Sequence, residues 1–332
     1  MEITTPSNTP EARRAAGWER AASRFQQQGA LIALIVLVLA GWWRYGDNGF
    51  VGSYNITSVL RYNAMFALIA LGMTFVIMTG GIDLSVGGVV VLSSILAALW
   101  SPYGIWPAAI GAVAGGVIVG LVNGGLVAWF GIQPFIVTLA TLLAARGLSL
   151  ILADNASVSV DFESSFLQLD RNVGSLPMAA VIAAVAYLIG SIALNLTRFG
   201  RHVLAIGGSE EAARLAGVPV PRTLLSVYTV SGGLAGLTGA ILAAQTFTGN
   251  PTEAVGWELS AIAAVVVGGT LLTGGVGSVW TTLVGVMLLG LIINMLNFEN
   301  LDPYWQTVIR GLFLLLVIIL QRRLVRWRDP NR

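Results

Sequence analysis

Long blocks without a single charged residue dominate the chain: 62–82, 84–145, 172–197, 223–252 and 259–298. One helix crosses the hydrocarbon core of a bilayer in about 20 apolar residues. The 84–145 block is too long for one crossing, and "SPYG" at 101–104 and "GIQP" at 131–134 supply turns inside it. "GGVGS" at 274–278 does the same for 259–298. Ten spans result: 27–43, 62–79, 84–100, 105–130, 132–153, 175–196, 223–245, 257–272, 277–297 and 303–321. The expectation is an all-α polytopic membrane protein of about ten transmembrane helices, some broken at glycines. A tail at 1–26 precedes the membrane domain (27–321), and a basic tail at 322–332 follows it.

Composition agrees: 56% of residues are hydrophobic and 10% charged, against about a quarter charged in soluble domains. The absence of cysteine excludes disulfides and thiolate metal sites, and the single histidine, His202, excludes a multi-histidine site. All 18 basic residues are arginine, so a phosphate-binding P-loop, which needs lysine, is absent too. No catalytic residues, metal or cofactor are expected, and no nucleic-acid partner. The first span follows Arg13, Arg14, Arg20 and Arg24, as in a signal peptide. Trp42 and Trp43 fit the interfacial belt of a retained helix better. Thirteen arginines fall in 1–26, 197–222 and 322–332, against Arg44, Arg61 and Arg171 on the other side. That bias places both termini and the 197–222 loop in the cytoplasm.

Two glycine-rich segments interrupt the apolar runs. "GGIDLSVG" (80–87) is echoed by "GGTLLTGG" (268–275). Broken backbone at membrane depth survives only when buried in protein or lining a watery cavity, and in transporters such breaks lie near the solute path. The candidate path residues are Gly80, Gly81, Asp83, Ser85, Asn123, Gly268, Gly269, Thr273 and Asn294. Asp83 has two compatible roles, as cap of the helix opening at Leu84 and as a polar group on the path. Asn123 and Asn294 also suit plain interhelical hydrogen bonding. Arg146 is expected to snorkel to the outer surface, and Arg310 lies deeper in its span. Pairs at Gly111–Gly115, Gly116–Gly120, Gly120–Gly124 and Gly232–Gly236 predict close helix packing within the subunit, or between subunits. Residues 154–174 are polar and read as a solvated outer loop.

The loop at 197–222 contains a short helix. Ser209 suits its N-cap, Glu210 and Glu211 its amino-terminal dipole, and Gly217 its stop. About two turns are not stable alone, so the helix packs on something.

Three ordered blocks carry a resemblance: "GMTFVIMTGGIDLSVGGVVVLSS" (72–94), "TRFGRHVLAIGGSEEAARLAGV" (197–218) and "ELSAIAAVVVGGTLLTGGVGSVWTTLVGVMLLGLI" (258–292). Over about residues 28–321 the chain resembles the membrane subunits of bacterial ABC importers for ribose, xylose, arabinose and galactofuranose. The last block and "NFENLDPYW" (297–305) look most like galactofuranose permeases. The resemblance implies a permease in the inner membrane, a periplasmic sugar-binding protein, a cytoplasmic ATPase that binds the ATP, and a second permease, identical or related. It implies ATPase coupling through Ser209, Glu210, Glu211, Ala212, Ala213, Arg214 and Gly217. Related permeases for branched-chain amino acids, nucleosides or a signalling sugar share the architecture. An ion-coupled secondary transporter would rest on Asp83 alone. A membrane enzyme lacks support, since no histidine pair, cysteine or lysine exists to carry it.

Overall fold

The computed structural model describes residues 29–302, 304–309, 311, 312, 315 and 319. Eight helices in it are long and apolar enough to cross a membrane. They are α1 (Gly29–Asn48), α2 (Ser53–Met78), α3 (Val86–Trp100, extended by a 3-10 turn to Tyr103), α4 (Ile105–Phe130), α5 (Pro134–Leu152), α6 (Met178–Leu196), α9 (Val220–Thr246) and α11 (Val279–Phe298). Between α6 and α9 lie α7 (Arg198–Gly208) and α8 (Glu210–Leu215). An eleven-residue helix, α10 (Trp257–Val267), precedes the second glycine break. The two tails, Arg310 and parts of the tenth expected span fall outside the described residues.

Two span boundaries differ from the expectation. α2 starts at Ser53 rather than 62, because Arg61 does not end it: its guanidinium bonds Asp170 and Asn172 of the 154–174 segment. The eighth span, expected at 257–272, stops at Val267, where Gly268 and Gly269 end the helix. Eleven residues rise only about 16 Å, so α10 is a half-crossing.

Helices that are apolar on every side belong in the centre of a bundle. α2, α3 and α9 are the most enclosed, and their side chains form the main core with α10. α4, α5, α6 and α11 surround them and leave apolar faces outward. In lipid, helix association depends on close approach rather than on expelling water. The glycine pairs serve this within the subunit. Gly116, Gly120 and Gly124 of α4 face the α9 backbone at Gly232, Tyr228 and Leu225, and Gly236 faces Ala112. Any Cβ at Gly116 or Gly232 would strike the other helix's carbonyl oxygens.

The 154–174 segment is not a plain solvated loop. Its 3-10 turn at Ser165–Asp170 is capped by Ser164 and buries Phe166 and Leu169 among Ala97, Ala108, Ala112 and Ala240. Two short ladders tie this cover down: β1 (Val158–Ser159) pairs antiparallel with β4 (Thr248–Gly249), and β2 (Asn172–Val173) with β3 (Leu176–Pro177).

Candidate functional site

The first glycine break carries a hydrogen-bond chain that is buried as far as Asn123. α2 ends at Gly80 in the left-handed conformation (φ 82°), where only glycine sits without strain. After the turn, Asp83 is completely enclosed. One of its carboxylate oxygens accepts from the Ser85 amide at 3.0 Å and the Ser85 hydroxyl at 2.5 Å. The other accepts from the Ser231 hydroxyl of α9 at 2.8 Å. The Asn123 amide of α4 donates to Ser85 Oγ at 2.8 Å and accepts from Thr141 of α5 at 2.8 Å. Four helices are thus joined to one carboxylate, every link a partnered group that would otherwise be costly to bury. The capping expected of Asp83 is not what the structure shows: Ser85 holds the N-cap position of α3, and no side chain caps that helix. The helix opens at Val86, not Leu84, and the carboxylate bonds a single backbone amide there.

Tyr228 stands over the same break. Its hydroxyl is buried, has no hydrogen-bond partner among the described residues, and occupies the space a Cβ at Gly81 would need. Spacing gives the signal for these partners: Tyr228 and Ser231, three apart, share a helix face. The sequence alone does not say which face meets Asp83.

The second break folds against the first. The Gly275 amide donates to the Met78 carbonyl at 2.9 Å, and a Cβ at Gly274 would lie 2.9 Å from the Gly80 nitrogen. The Thr273 carbonyl lies 3.8 Å from where a Gly80 Cβ would be. Gly207 of α7 closes the junction, with Met78 O and Gly275 N filling the place of its missing Cβ. Gly80, Gly81, Asp83, Ser85, Asn123 and Thr273 therefore fall around one junction, whereas Gly268 packs on α11 at Thr281 and Thr282 and Gly269 closes the end of α10. Asn294 does not join them. It pairs with Asn55 of α2 through two amide bonds of 2.7 and 3.2 Å.

Beyond Gly207 comes α8. Ser209 caps it by accepting from the Ala212 amide at 3.2 Å. Glu210 pairs with Arg214 at 2.8 Å one turn on. Gly217 (φ 79°) ends it, with the Gly217 amide on Arg214 O and the Val218 amide on Ala213 O. Only Ala213 is buried; Glu211 is exposed, and Leu215 is 85% exposed although no water-facing role requires a leucine there.

Arg146 donates from Nη2 to the carbonyl of Ala254, in the connection between α9 and α10, at 3.4 Å. No group of three or more His, Cys, Asp or Glu residues that could hold a metal ion occurs among the described residues.

Residues 55–318 match the family described as branched-chain amino acid transport system / permease component. The ribose import permease protein of Bacillus subtilis is 38% identical over 90% of this chain and 93% of its own length. The L-arabinose transport system permease protein of Escherichia coli K12 is 37% identical over 90% and 91%. The fructose import permease protein of Bifidobacterium longum is 34% identical over 88% and 89%. No solved structure matches. With four-fifths of its length matched and such relatives along nine-tenths of it, the chain belongs to the permease-component family that includes the membrane subunits of bacterial ABC sugar importers.

Proposed function

We propose that the chain carries a monosaccharide across the bacterial inner membrane, powered by a separate cytoplasmic ATPase that docks on Ser209–Gly217. Both termini and the 197–222 loop lie in the cytoplasm. A periplasmic binding protein delivers the sugar to the opposite face, and a second permease, a copy or a relative, completes the path. One observation supports the coupling most: Gly207, two residues before the α8 cap, is wedged against the backbone of both glycine breaks. Backbone packed this tightly does not deform continuously. A push on α8 therefore reaches both breaks, and with them the Asp83 network. The exposed Leu215 and Glu211 give the ATPase an apolar anchor and a charge to read.

The cargo is read from the relatives, whose names give ribose, L-arabinose and fructose. Galactofuranose joins that group through the likeness of "NFENLDPYW" (297–305) to its permeases. Branched-chain amino acids are the second reading, favoured by the family's description.

The test is uptake into membrane vesicles that contain the chain with its ATPase, binding protein and any second permease. Labelled sugars and leucine are offered with and without ATP. Sugar uptake that requires ATP is expected, together with its loss in Glu211→Arg and weaker co-purification of the ATPase. Uptake that persists without the ATPase and follows an ion gradient would overturn the reading.

A further inference from the structure

The start of α10 holds a second buried carboxylate that the Asp83 network does not use. Glu258 sits in the first turn of that helix and is 8% exposed. Its Oε2 is enclosed and has no hydrogen-bond partner among the described residues. It points across to α3, where it fills the space a Cβ would take at Gly87, also in a first helical turn. Two helix amino termini therefore meet at one carboxylate. Their dipoles lower the cost of keeping a charge there, but they leave the second oxygen unfilled.

Arg146 of α5 reaches the same place. Its Nη2 rests on the Ala254 carbonyl, and its Nε is buried without a partner among the described residues. That carbonyl lies 3.1 Å from the Gly87 Cβ position, beside Glu258. Ala254 itself is 2% exposed and held at φ 54°, a conformation alanine avoids. Strain of this kind persists where the surroundings impose it, often at ligand sites. The acid and the guanidinium come together yet make no direct ion pair: the pairs among the described residues are Arg44–Glu299, Arg61–Asp170 and Arg214–Glu210. Opposite charges are left just apart, and each keeps one enclosed polar atom without a partner among the described residues, which a passing polar group could satisfy when the packing opens.

The two atoms select a partner by chemistry. A cation is repelled by Arg146 and an anion by Glu258. A carboxylate gripped by both edges of a guanidinium finds Nη2 already committed to Ala254. A hydroxyl both donates and accepts, so neighbouring hydroxyls can donate to Glu258 Oε2 and accept from Arg146 Nε together. We infer that Glu258 and Arg146 form a sugar-hydroxyl contact inside the bundle, at which the passing monosaccharide is held and read. The site adjoins the first break, since Ser85 and Gly87 are two residues apart at the opening of α3. It rests on the sugar-permease reading above.

The test uses the complete transporter in liposomes, with the binding protein loaded in turn with ribose, L-arabinose, fructose and galactofuranose, and then with monodeoxy analogues of the best substrate. In Glu258→Gln, maximal uptake of that sugar is expected to fall at least tenfold, with membrane level and ATPase association unchanged. Its preference over the analogue deoxygenated at one carbon should collapse towards one. Arg146→Gln should do the same for a neighbouring carbon. If Glu258→Gln fails to assemble, Gly87→Ala keeps the acid but displaces it, and the same loss of discrimination is expected. A sugar-to-deoxysugar ratio unchanged in these variants would overturn the inference while leaving sugar transport standing. So would rescue of uptake by the exchange of charges, Glu258→Arg with Arg146→Glu, which marks a structural pair. Wild-type uptake of leucine in place of every sugar would overturn both readings.

Discussion

α2 and α10 stop in the same way and then part company. At the end of α2 the Gly80 amide donates to Ile77 O at 2.9 Å and the Gly81 amide to Val76 O at 3.1 Å. At the end of α10 the Gly269 amide donates to Val266 O at 2.9 Å and the Thr270 amide to Val265 O at 3.2 Å. Each is the same two-bond helix stop around a left-handed glycine, Gly80 in one and Gly269 in the other. The likeness of "GGIDLSVG" and "GGTLLTGG" is thus a likeness of role, shifted by one residue from the letter match, which pairs Gly80 with Gly268. After the stop, the first break turns on a side chain. Asp83 gathers Ser85 and Ser231, and helix resumes at Val86. In the second break Leu272 stands where Asp83 would be, and helix resumes only at Val279. There the backbone holds itself, with Leu271 N on Val276 O and Gly274 N on Leu271 O, and leans on Met78 and Gly207. One break carries its own anchor. The other borrows its shape from its neighbours, and is the one a moving α8 should deform first.

The sharpest way to break that contrast is to make the first break like the second. Asp83→Leu removes the acceptor for two hydroxyls and one amide. At about 1 kcal/mol or more for each buried donor left unsatisfied, a loss of about 3 kcal/mol is expected. It should be read as an early unfolding transition in detergent, with uptake abolished. A variant as stable as wild type would mean that the carboxylate is no anchor.

Next in size is Gly207→Ala. Its added methyl meets Met78 O and Gly275 N, both backbone, which cannot swing aside as a side chain can. Overpacking of this kind costs about 1–3 kcal/mol. The functional effect should be larger: at least a tenfold drop in uptake while the ATPase still binds and still hydrolyses ATP. Normal coupling in this variant would remove Gly207 as the link between α8 and the breaks.

Much of this arrangement is legible in the sequence, for local reasons. Caps and stops depend on residues within one turn, so Ser209, Glu210 and Gly217 are enough to announce α8. Charge-free length announces the long spans. The meeting of elements far apart is not legible. Nothing near Asp83 names Ser231, 148 positions away, and nothing near Gly207 names Gly275. Span length misleads at α10, because residues 257–272 are apolar enough to cross and only the glycine pair ends the helix early. Glu258 stays hidden for a related reason: it borders a charge-free run and reads as its boundary. Its burial is decided by Gly87 and Arg146, which belong to other helices.

A milder change separates strain from contact at the second break. Gly274→Ala places a side chain at φ 85° and its Cβ 2.9 Å from the Gly80 nitrogen. Holding a non-glycine residue there costs about 1–2 kcal/mol. If the second break is the compliant one, uptake should fall more steeply than stability, several-fold against a few degrees of melting temperature. Equal falls would mean the two breaks are equally rigid.

The smallest expected effect comes from outside both breaks. Asn294 bonds Asn55, which also holds the Phe50 carbonyl at 2.8 Å. Interhelical hydrogen bonds of this kind average about 0.6 kcal/mol in membrane proteins. Asn294→Leu should therefore cost about that much stability and leave uptake within twofold of wild type. Asn123→Ala is the matched control: it too removes an amide between helices, but one that feeds Ser85 and so Asp83, and it should cost about 1–2 kcal/mol and a larger share of uptake. Measured side by side, the two variants separate hydrogen bonding that merely fastens helices from hydrogen bonding that shapes the break. If Asn294→Leu reduced uptake as deeply as Asn123→Ala, polar contacts at the far end of α11 would also shape the path. The difference between the two breaks would then explain only part of how the bundle moves.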